Sequence, residues 1–275
     1  MNILIPAAGK GSRFDGHYDS PKNMIDVKGE PMLVAAARSL GLDGPDNTLI
    51  FVLPENFETN SHRTIGTHLQ EEFPDSVVLV VVGETDGAAH TAQFADKYID
   101  NDEELFIANC DQIMHWDPKL REEVFDKLRE HDAGIITVES DEQKHSYLNL
   151  QTGQIIEKER QPGNMALTGL HYFKRGSDFV SSTRLMMQSG VKSLGEYYIG
   201  PAFNWFEGDA GFYQIMPEDI SFIGTPDDLK VSNTSSLMFL VISRLDFPKS
   251  SLKAVVPIFL VTSSSKPSEA PISPE

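Results

Sequence analysis

The sequence predicts an α/β protein with a Rossmann-like, doubly wound, mainly parallel sheet and a β-rich second half. Short apolar runs recur along the first half and alternate with segments of helical spacing. Strands that are apolar almost throughout are buried on both faces, which is typical of parallel sheets covered by helices. After residue 140 the strands follow one another more closely, which indicates a change of architecture.

The first half is predicted to follow the order βαβαβαβαβ. Its strands are apolar or rich in β-branched residues and are expected at Ile3–Ile5, Thr48–Leu53, Ser76–Val82, Glu104–Asn109 and Ala133–Glu139. Its helices contain good helix formers or apolar residues at helical spacing and are expected at Pro31–Leu40, Ser61–Phe73, Gly87–Tyr98 and Pro118–His131. Glycine or proline ends the first two of these helices.

The second half begins with a predicted hairpin, because Thr152-Gly153 separates Ser146–Leu150 from Gln154–Lys158. The later elements expected are a strand, a helix, a strand and a terminal helix, at Ala166–Phe173, Ser177–Ser189, Gly211–Met216 and Leu237–Leu245. We divide the chain into a main domain at residues 1–235, with halves at 1–140 and 141–235, and an extension at 236–261. The Ser/Pro-rich tail at 262–275 is expected to be disordered.

Composition limits the functional classes. The chain has 275 residues, of which 40% are hydrophobic, enough for one large domain. The formal net charge of −18 argues against nucleic acid or an anionic membrane as the main partner. The apolar runs at Val77–Val82, Leu237–Ile242 and Ala254–Val261 are too short to span a bilayer.

Cysteine usage and the N-terminus bear on location. Cys110 is the single cysteine, which excludes an intramolecular disulfide and fits a reducing compartment. Residues Met1–Ala8 lack a basic region, so no signal peptide is expected. The predicted location is the cytoplasm.

A loop of small residues follows the first strand and predicts an anion site. Its small residues are Ala7, Ala8, Gly9, Gly11 and Ser12. Glycine lets the backbone approach a ligand, and successive N–H groups can cradle an anion. Because Arg13 and Lys22 add positive charge, we interpret the loop as a triphosphate site. It is not a Walker A loop, and Phe14 stands where Gly-x-Gly-x-x-Gly needs its third glycine. A strand-to-helix turn with incidental charges explains the glycines equally well.

A longer string at residues 7–32 is more specific. It reads Ala-Ala-Gly-x-Gly-Ser-Arg-Phe, Pro-Lys and Ile-x-Val-x-Gly-x-Pro-Met, and it resembles the signature of the sugar-nucleotide pyrophosphorylases. The resemblance implies a nucleotidyltransferase that transfers a nucleotidyl group from a nucleoside triphosphate to a phosphorylated acceptor and releases pyrophosphate. The branch resembled is found among capsule and surface-polysaccharide genes. Its Gly-Tyr pair before Pro-Lys reads Gly16-His17-Tyr18 here.

Asp111 is the predicted metal ligand. It follows the fourth predicted strand, and ligands of α/β sheets bind outside the carboxyl ends of the strands. Mg²⁺ prefers carboxylate oxygens together with substrate phosphate oxygens. An Asx turn or a helix N-cap is the alternative. The segment Asn109-Cys110-Asp111-Gln112 also resembles the family's metal-binding loop.

The resemblance assigns further residues to the substrates. Residues 1–140 would hold the nucleotide, and Gly87 would contact its base. Val82 stands where the related thymidylyltransferases have a glutamine, so the sequence does not determine which base is bound. Residues 141–235 would hold the acceptor. Lys158 and Glu157 match a Glu-Lys-Pro motif whose lysine holds the acceptor phosphate, although Glu159 replaces the proline. Without that context, this segment reads as a solvated charge run.

Two more positions are assigned to the acceptor by resemblance. Gly169 would permit its close approach, and Glu196 would accept hydrogen bonds from its hydroxyl groups or else cap a turn. One position departs from the family pattern, because Phe222 stands where a second metal carboxylate is common. Either Asp209 or Asp219 replaces that carboxylate, or Asp111 and the phosphates hold Mg²⁺ with water.

The resemblance implies that Arg13, Lys22 and Asp111 are catalytic, with Mg²⁺ as cofactor. The expected partners are a nucleoside triphosphate and a sugar 1-phosphate or a small phosphorylated alcohol such as phosphocholine. A homo-oligomer is compatible with the sequence. Two alternatives stay open: a non-catalytic nucleotide-binding module, and a glycosyltransferase that uses a finished nucleotide-sugar, although Asp111 lacks the Asp-x-Asp pattern expected there.

Overall fold

The computed structural model describes residues 1–55 and 65–232. Its strands are β1 Asn2–Pro6, β2 Asp26–Val27, β3 Glu30–Pro31, β4 Thr48–Pro54, β5 Val77–Val81, β6 Leu105–Ala108, β7 Gln112–Met114, β8 Ala133–Val138, β9 Ser146–Leu148, β10 Ile155–Glu157, β11 Met165–Phe173, β12 Ala210–Ile215 and β13 Ile220–Phe222. Its α-helices are α1 Met32–Ser39, α2 Ile65–Glu72, α3 Ala88–Gln93, α4 Asp96–Ile99, α5 Pro118–Leu128, α6 Gly176–Ser189 and α7 Ile199–Ala202. The extension at 236–261, with the helix predicted at Leu237–Leu245, and the tail at 262–275 lie outside the described residues.

A nine-stranded sheet forms the centre of the molecule, with the strand order β10-β9-β11-β6-β1-β4-β5 and with β8 and β12 joined through β11. Its first half is parallel, since β1 pairs with both β4 and β6, and β4 pairs with β5. Ile3 and Ile5 face one side of β1 and Leu4 faces the other, and all three are fully buried. The predicted Rossmann-like α/β class is confirmed.

Helices cover both faces of this sheet. Val34 of α1, Leu69 of α2 and Val124 of α5 belong to the same apolar cluster as Ile3. Ala92 of α3 and Val180 of α6 belong to the cluster on the opposite face. Burying apolar side chains from both faces is the main stabilising contribution to such a sheet.

The second half continues the sheet partly with antiparallel strands, as the sequence suggested, although β12 pairs parallel with β8. Strand β11 pairs antiparallel with β6, β8 and β9, and β9 and β10 form the predicted hairpin. The register of β11 against β8 shifts between Leu167 and His171, and Gly169 inside this irregularity has φ +88°. Bulges of this kind bend a strand and redirect its side chains.

Two sequence expectations differ from the structure, and one ladder was not predicted. The strand predicted at Ser76–Val82 is β5, which lies at the edge of the sheet, and it is not buried throughout because Val80 is 58% exposed. The single helix predicted at Gly87–Tyr98 is divided into α3 and α4, because i→i−3 hydrogen bonds at Phe94 and Ala95 tighten the chain between them. The ladder between β7 and β13 was not predicted. Among the described residues, no helix has both the length and the apolar character needed to cross a membrane.

Candidate active site

A cavity of about 170 Å³ lies beyond the carboxyl ends of β1 and β6. Charged and polar side chains line most of it: Arg13, Asn109, Asp111, Lys144, His145, Ser146, Glu157, Lys158, His171, Tyr198 and Asp228. Gly169, Gly224 and Phe222 also contribute to the lining. The position agrees with the general rule that ligands of open α/β sheets bind at this edge.

An ion pair between Lys22 and Asp111 lies beside this cavity. The Lys22 Nζ atom donates to Oδ2 of Asp111 at 2.6 Å, and the two side chains are only 17% and 22% exposed. Burial disfavours both charges, but the attraction outweighs it, so the pKa of Lys22 is raised. Burial acts against the Asp111 carboxylate in the same way, yet Lys22 and Arg13 hold its pKa below the usual value. Both groups are therefore charged at neutral pH.

Local backbone geometry positions Lys22. Gly11 has φ +69°, and a Cβ atom placed on it would lie 2.7 Å from Cβ of Lys22. Only glycine allows this close approach together with this conformation. The Asn23 side chain donates to the carbonyl of Ala7 at 3.0 Å, which ties the following turn to the end of β1.

The loop after β13 closes over Asp111. The backbone N–H of Ile223 donates to the Asp111 carbonyl at 2.9 Å. A Cβ on Gly224 would lie 2.9 Å from Oδ2 of Asp111 and 3.9 Å from Nη1 of Arg13. The Arg13 guanidinium, the Asp111 carboxylate and this glycine therefore meet at one point.

The opposite wall comes from the β9–β10 hairpin. Glu157 accepts a hydrogen bond from the Ser146 hydroxyl. Burial raises the pKa of Glu157, although Ser146 and Lys158 favour its charged form. The Lys158 Nζ atom donates to the Tyr198 hydroxyl at 2.9 Å. A carboxyl group and an ammonium group thus face the cavity from adjacent positions.

The bulge in β11 forms the floor. Both Gly169 and His171 line the cavity, and Asn109 lies close to Gly169. Burial lowers the pKa of the His171 imidazole to about 3, so the ring is neutral at physiological pH. Both ring nitrogens are buried, so the imidazole contributes to the packing beneath the cavity surface.

Five predicted site residues therefore line one cavity: Arg13, Asp111, Glu157, Lys158 and Gly169. Lys22 joins them through Asp111. The other predicted residues, Ala7, Ala8, Gly9, Gly11, Ser12, Gly87 and Glu196, are not part of its lining. Gly87 and Glu196 lie next to each other, because a Cβ on Gly87 would be 3.0 Å from Cβ of Glu196. The roles of all these residues stay predictions.

Sequence reasoning missed Lys144, His145 and Asp228, which also line the cavity. Lys144 and His145 lie in the turn before β9, among charged residues that read as a solvated surface. Asp228 lies in the helical residues 226–232, after the recognised Gly-Thr-Pro segment. No local signal separates these side chains from ordinary surface charges.

The positions of Asp209 and Asp219 do not support either residue as a second metal carboxylate. Asp209 is 2.7 Å from Nδ1 of His131, and Asp219 accepts from the Met216 N–H at 3.0 Å. Neither lines the cavity, whereas Phe222 does. The Phe222 ring centroid lies 4.6 Å from that of His145, so this part of the wall is formed by packed rings.

The remaining alternative is that Asp111 holds Mg²⁺ together with substrate phosphates and water, and the residues present fit it. No cluster of three or more His, Cys, Asp or Glu side chains suited to a metal occurs in residues 1–55 and 65–232. Asp111 is nevertheless an ionised carboxylate, of which Lys22 engages Oδ2. Mg²⁺ is commonly held by about one or two carboxylates together with substrate phosphates and water. Asp111 is therefore suited to hold such an ion jointly with a phosphorylated substrate.

This fold, with a cavity at the carboxyl ends of the parallel strands, places the protein in the Rossmann-like α/β class, and its family identifies it as a nucleotidyltransferase. The family model of the MobA-like NTP transferase domain matches residues 3–175, more than half of the chain. The chain belongs to this family, which confirms the resemblance found in the sequence. A search of curated proteins found no match.

Solved structures agree with this assignment. A nucleoside-diphosphate-sugar pyrophosphorylase from Vibrio cholerae RC9 is 20% identical, with a TM-score of 0.70 over 84% of this chain and 98% of that chain. A UDP-glucose pyrophosphorylase complexed with UDP-glucose is 17% identical, with a TM-score of 0.63 over 86% and 98%. HddC from Yersinia pseudotuberculosis, complexed with GMP-PN, is 21% identical, with a TM-score of 0.57 over 86% and 99%. At these identities the likeness establishes the fold.

Proposed function

We propose that the protein transfers a nucleotidyl group from a nucleoside triphosphate to a sugar 1-phosphate, with Mg²⁺ as cofactor and pyrophosphate as the second product. The proposed role is the supply of precursors for a surface polysaccharide, in the cytoplasm. The observation that carries the proposal is the Lys22–Asp111 pair at 2.6 Å, beside a cavity that Lys158 enters from the opposite wall. Charges on both walls suit two phosphorylated substrates.

The proposed reaction needs no protein nucleophile. An acceptor phosphate oxygen attacks the α-phosphorus, a new P–O bond forms, and the bond to the β-phosphate bridging oxygen breaks. Pyrophosphate leaves with the electron pair of that bond. Catalysis then consists of positioning and charge neutralisation.

Each charged residue has a defined part in this proposal. Arg13 and the backbone N–H groups of the Gly9–Gly11 loop hold the β- and γ-phosphates. Lys22 neutralises charge near the α-phosphate, and Lys158 holds the acceptor. Mg²⁺, when bound at Asp111, neutralises phosphate charge and orients the substrate oxygens. Removing one such charge typically costs about 10²–10³ in rate.

The aromatic side chains favour a sugar phosphate over phosphocholine. A quaternary ammonium group needs free aromatic faces for cation–π contact. In the cavity lining, the Tyr198 ring has Lys158 Nζ 4.9 Å from its centroid, and the Phe222 ring has Lys144 Nζ 5.6 Å from its centroid. These lysines already place positive charge at both rings. The Asn109 side chain in the lining instead offers hydrogen-bonding groups suited to hydroxyls.

Product identification tests the proposal. The full chain is incubated with Mg²⁺, each common nucleoside triphosphate in turn, and either a set of sugar 1-phosphates or phosphocholine. Mass spectrometry of the products should show a nucleoside diphosphate sugar from one pair. A phosphocholine product would overturn the choice of acceptor. Triphosphate binding without any product would favour the non-catalytic module, and sugar transfer from a finished nucleotide-sugar would favour the glycosyltransferase.

A further inference from the structure

Two lysines enter the cavity from the same end of the β9–β10 hairpin. Lys144 precedes β9 and Lys158 follows β10. The backbone N–H of Lys158 donates to the carbonyl of His145 at 3.0 Å, which places the two lysine-bearing segments side by side. Both side chains line the cavity.

Lys144 is held in a defined position. Its Nζ atom lies 2.6 Å from a Glu142 carboxylate oxygen and 2.7 Å from an Asp228 carboxylate oxygen. An ammonium group has three donor hydrogens, so two carboxylates do not exhaust its capacity. The side chain is 27% exposed, which leaves it accessible from the cavity. The proposed reaction described above gives this lysine no part.

The charge of a phosphate group favours more than one cation on this wall. A phosphate monoester carries about −1.5 to −2 charges at pH 7, and Lys158 alone supplies one positive charge. Glu157 and Asp228 also line the cavity and repel an anion when ionised. The chain as a whole has a formal net charge of −18, so attraction must come from local cations.

We infer that Lys144 and Lys158 together bind the phosphate group of the acceptor, with Lys144 fixed in place by Glu142 and Asp228. The identity of the acceptor rests on the proposed function. The triphosphate has its own cations in Arg13 and Lys22, which lie around Asp111. Lys144 lies next to Lys158 through the hydrogen bond between the Lys158 N–H and the His145 carbonyl, so we assign it to the acceptor phosphate.

Binding of inorganic phosphate to the full chain tests this inference without turnover. The rise in unfolding temperature with phosphate concentration gives an apparent Kd. The titration is done in saturating pyrophosphate, which occupies the triphosphate side. Lys144→Met and Lys158→Met should each weaken phosphate binding about 10-fold, the loss expected for one partly exposed charge-assisted hydrogen bond. Lys127→Met is the matched control, because it removes the same charge from an exposed residue that pairs with Glu130.

An Asp228→Asn variant separates phosphate binding from a purely structural ion pair. It keeps the Lys144 ammonium and an oxygen that can accept its hydrogen bond, and it removes a negative charge from the cavity, so phosphate should bind as tightly as to the wild type or more tightly. Lys144→Arg should bind within about threefold of the wild type, since it retains the charge. These two variants carry the test if Lys144→Met does not fold.

Several results would overturn the inference. They are wild-type binding by Lys144→Met, loss of phosphate binding in Asp228→Asn, or no phosphate binding by the wild type. Weaker binding of pyrophosphate to Lys144→Met, with phosphate unaffected, would assign the lysine to the triphosphate instead. Failure of the proposed function has a different signature, because an inactive wild type that still binds phosphate through Lys144 leaves the binding result intact.

Discussion

The Lys22 ammonium lies 2.6 Å from Oδ2 of Asp111, and this contact joins the turn after the N-terminal loop to the short connection between β6 and β7. The pair spans 89 positions of the sequence, so only the folded sheet brings the two side chains together. Arg13 adds a further positive charge that favours the ionised carboxylate. A preformed arrangement of charges can stabilise a reacting phosphate without reorganising during the reaction.

The ion pair predicts a defined acid dependence of stability. The pKa of Asp111 in the folded protein lies below its ordinary value of 3.8, so the unfolded state binds more protons in that range. Stability from this group is therefore complete above pH 3.8 and is lost as the pH falls below it. Asp111→Asn should flatten the dependence of the unfolding free energy on pH between about pH 2 and pH 5.

Urea unfolding at each pH measures this slope. Asp227→Asn is the control, since the Asp227 side chain is 91% exposed and should leave the slope nearly unchanged. An Asp111→Asn protein with the full wild-type slope would show that the ion pair does not contribute to folding stability.

Two glycine-to-alanine substitutions, one at Gly11 and one at Gly16, test how the N-terminal loop positions Lys22. Gly11→Ala introduces a Cβ 2.7 Å from Cβ of Lys22, so the lysine must shift away from Asp111. Gly16→Ala has the same kind of backbone strain, with φ +74°, but its Cβ meets no atom within 4 Å. Each variant should lose about 1 kcal/mol of stability or somewhat more through strain at positive φ.

Only Gly11→Ala should also lose activity, by about 10-fold or more, because a displacement of catalytic groups by ~1 Å can cost 10²-fold. Thermal unfolding and initial rates of pyrophosphate release measure the two effects. Equal activity of the two variants would mean that the contact between Gly11 and Lys22 is unimportant.

The sequence predicted those parts of the fold that local pattern determines. The apolar run at Ile3–Ile5, the turn at Thr152-Gly153 and Asp111 after a strand each carry their signal within a few residues. The order of strands is not encoded locally, which is why the sequence does not show that β5 lies at the sheet edge with Val80 exposed.

The same limit applies to the candidate site. The ladder between β7 and β13 joins Gln112 to Phe222 across more than a hundred residues, and it places the Gly224 loop at Asp111. Lys144 looks like a surface lysine in the sequence, and only its contacts with Glu142 and Asp228 place it in the cavity. Short motifs therefore predicted the charged residues at Arg13, Lys22, Asp111 and Lys158, whereas the remaining residues of the cavity lining are recognised only from tertiary contacts.

Replacing Lys158 should weaken binding of the acceptor and leave binding of the triphosphate nearly unchanged. Lys158→Met removes the cation that donates to Tyr198 and faces the cavity from the hairpin wall. Loss of one charge-assisted hydrogen bond predicts a rise in the acceptor KM of about 10- to 100-fold. The KM of the triphosphate should change by less than about threefold, because Lys158 is assigned no contact with it. Steady-state kinetics with each substrate varied in turn would measure both constants.

Lys158→Arg should recover part of the acceptor affinity, since the charge is retained. A Lys158→Met enzyme whose triphosphate KM rises as much as its acceptor KM would contradict the division of the cavity into two substrate walls.

We propose that Lys22 and Asp111 form the catalytic centre of this nucleotidyltransferase. The most direct measurement is pyrophosphate release by the wild type, Lys22→Ala and Asp111→Ala, with Mg²⁺, each common triphosphate and a set of phosphorylated acceptors. We predict release by the wild type with one substrate pair, and a rate lower by about 10²–10³ in each variant. Undiminished release by both variants, with the same substrate pair, would contradict the account.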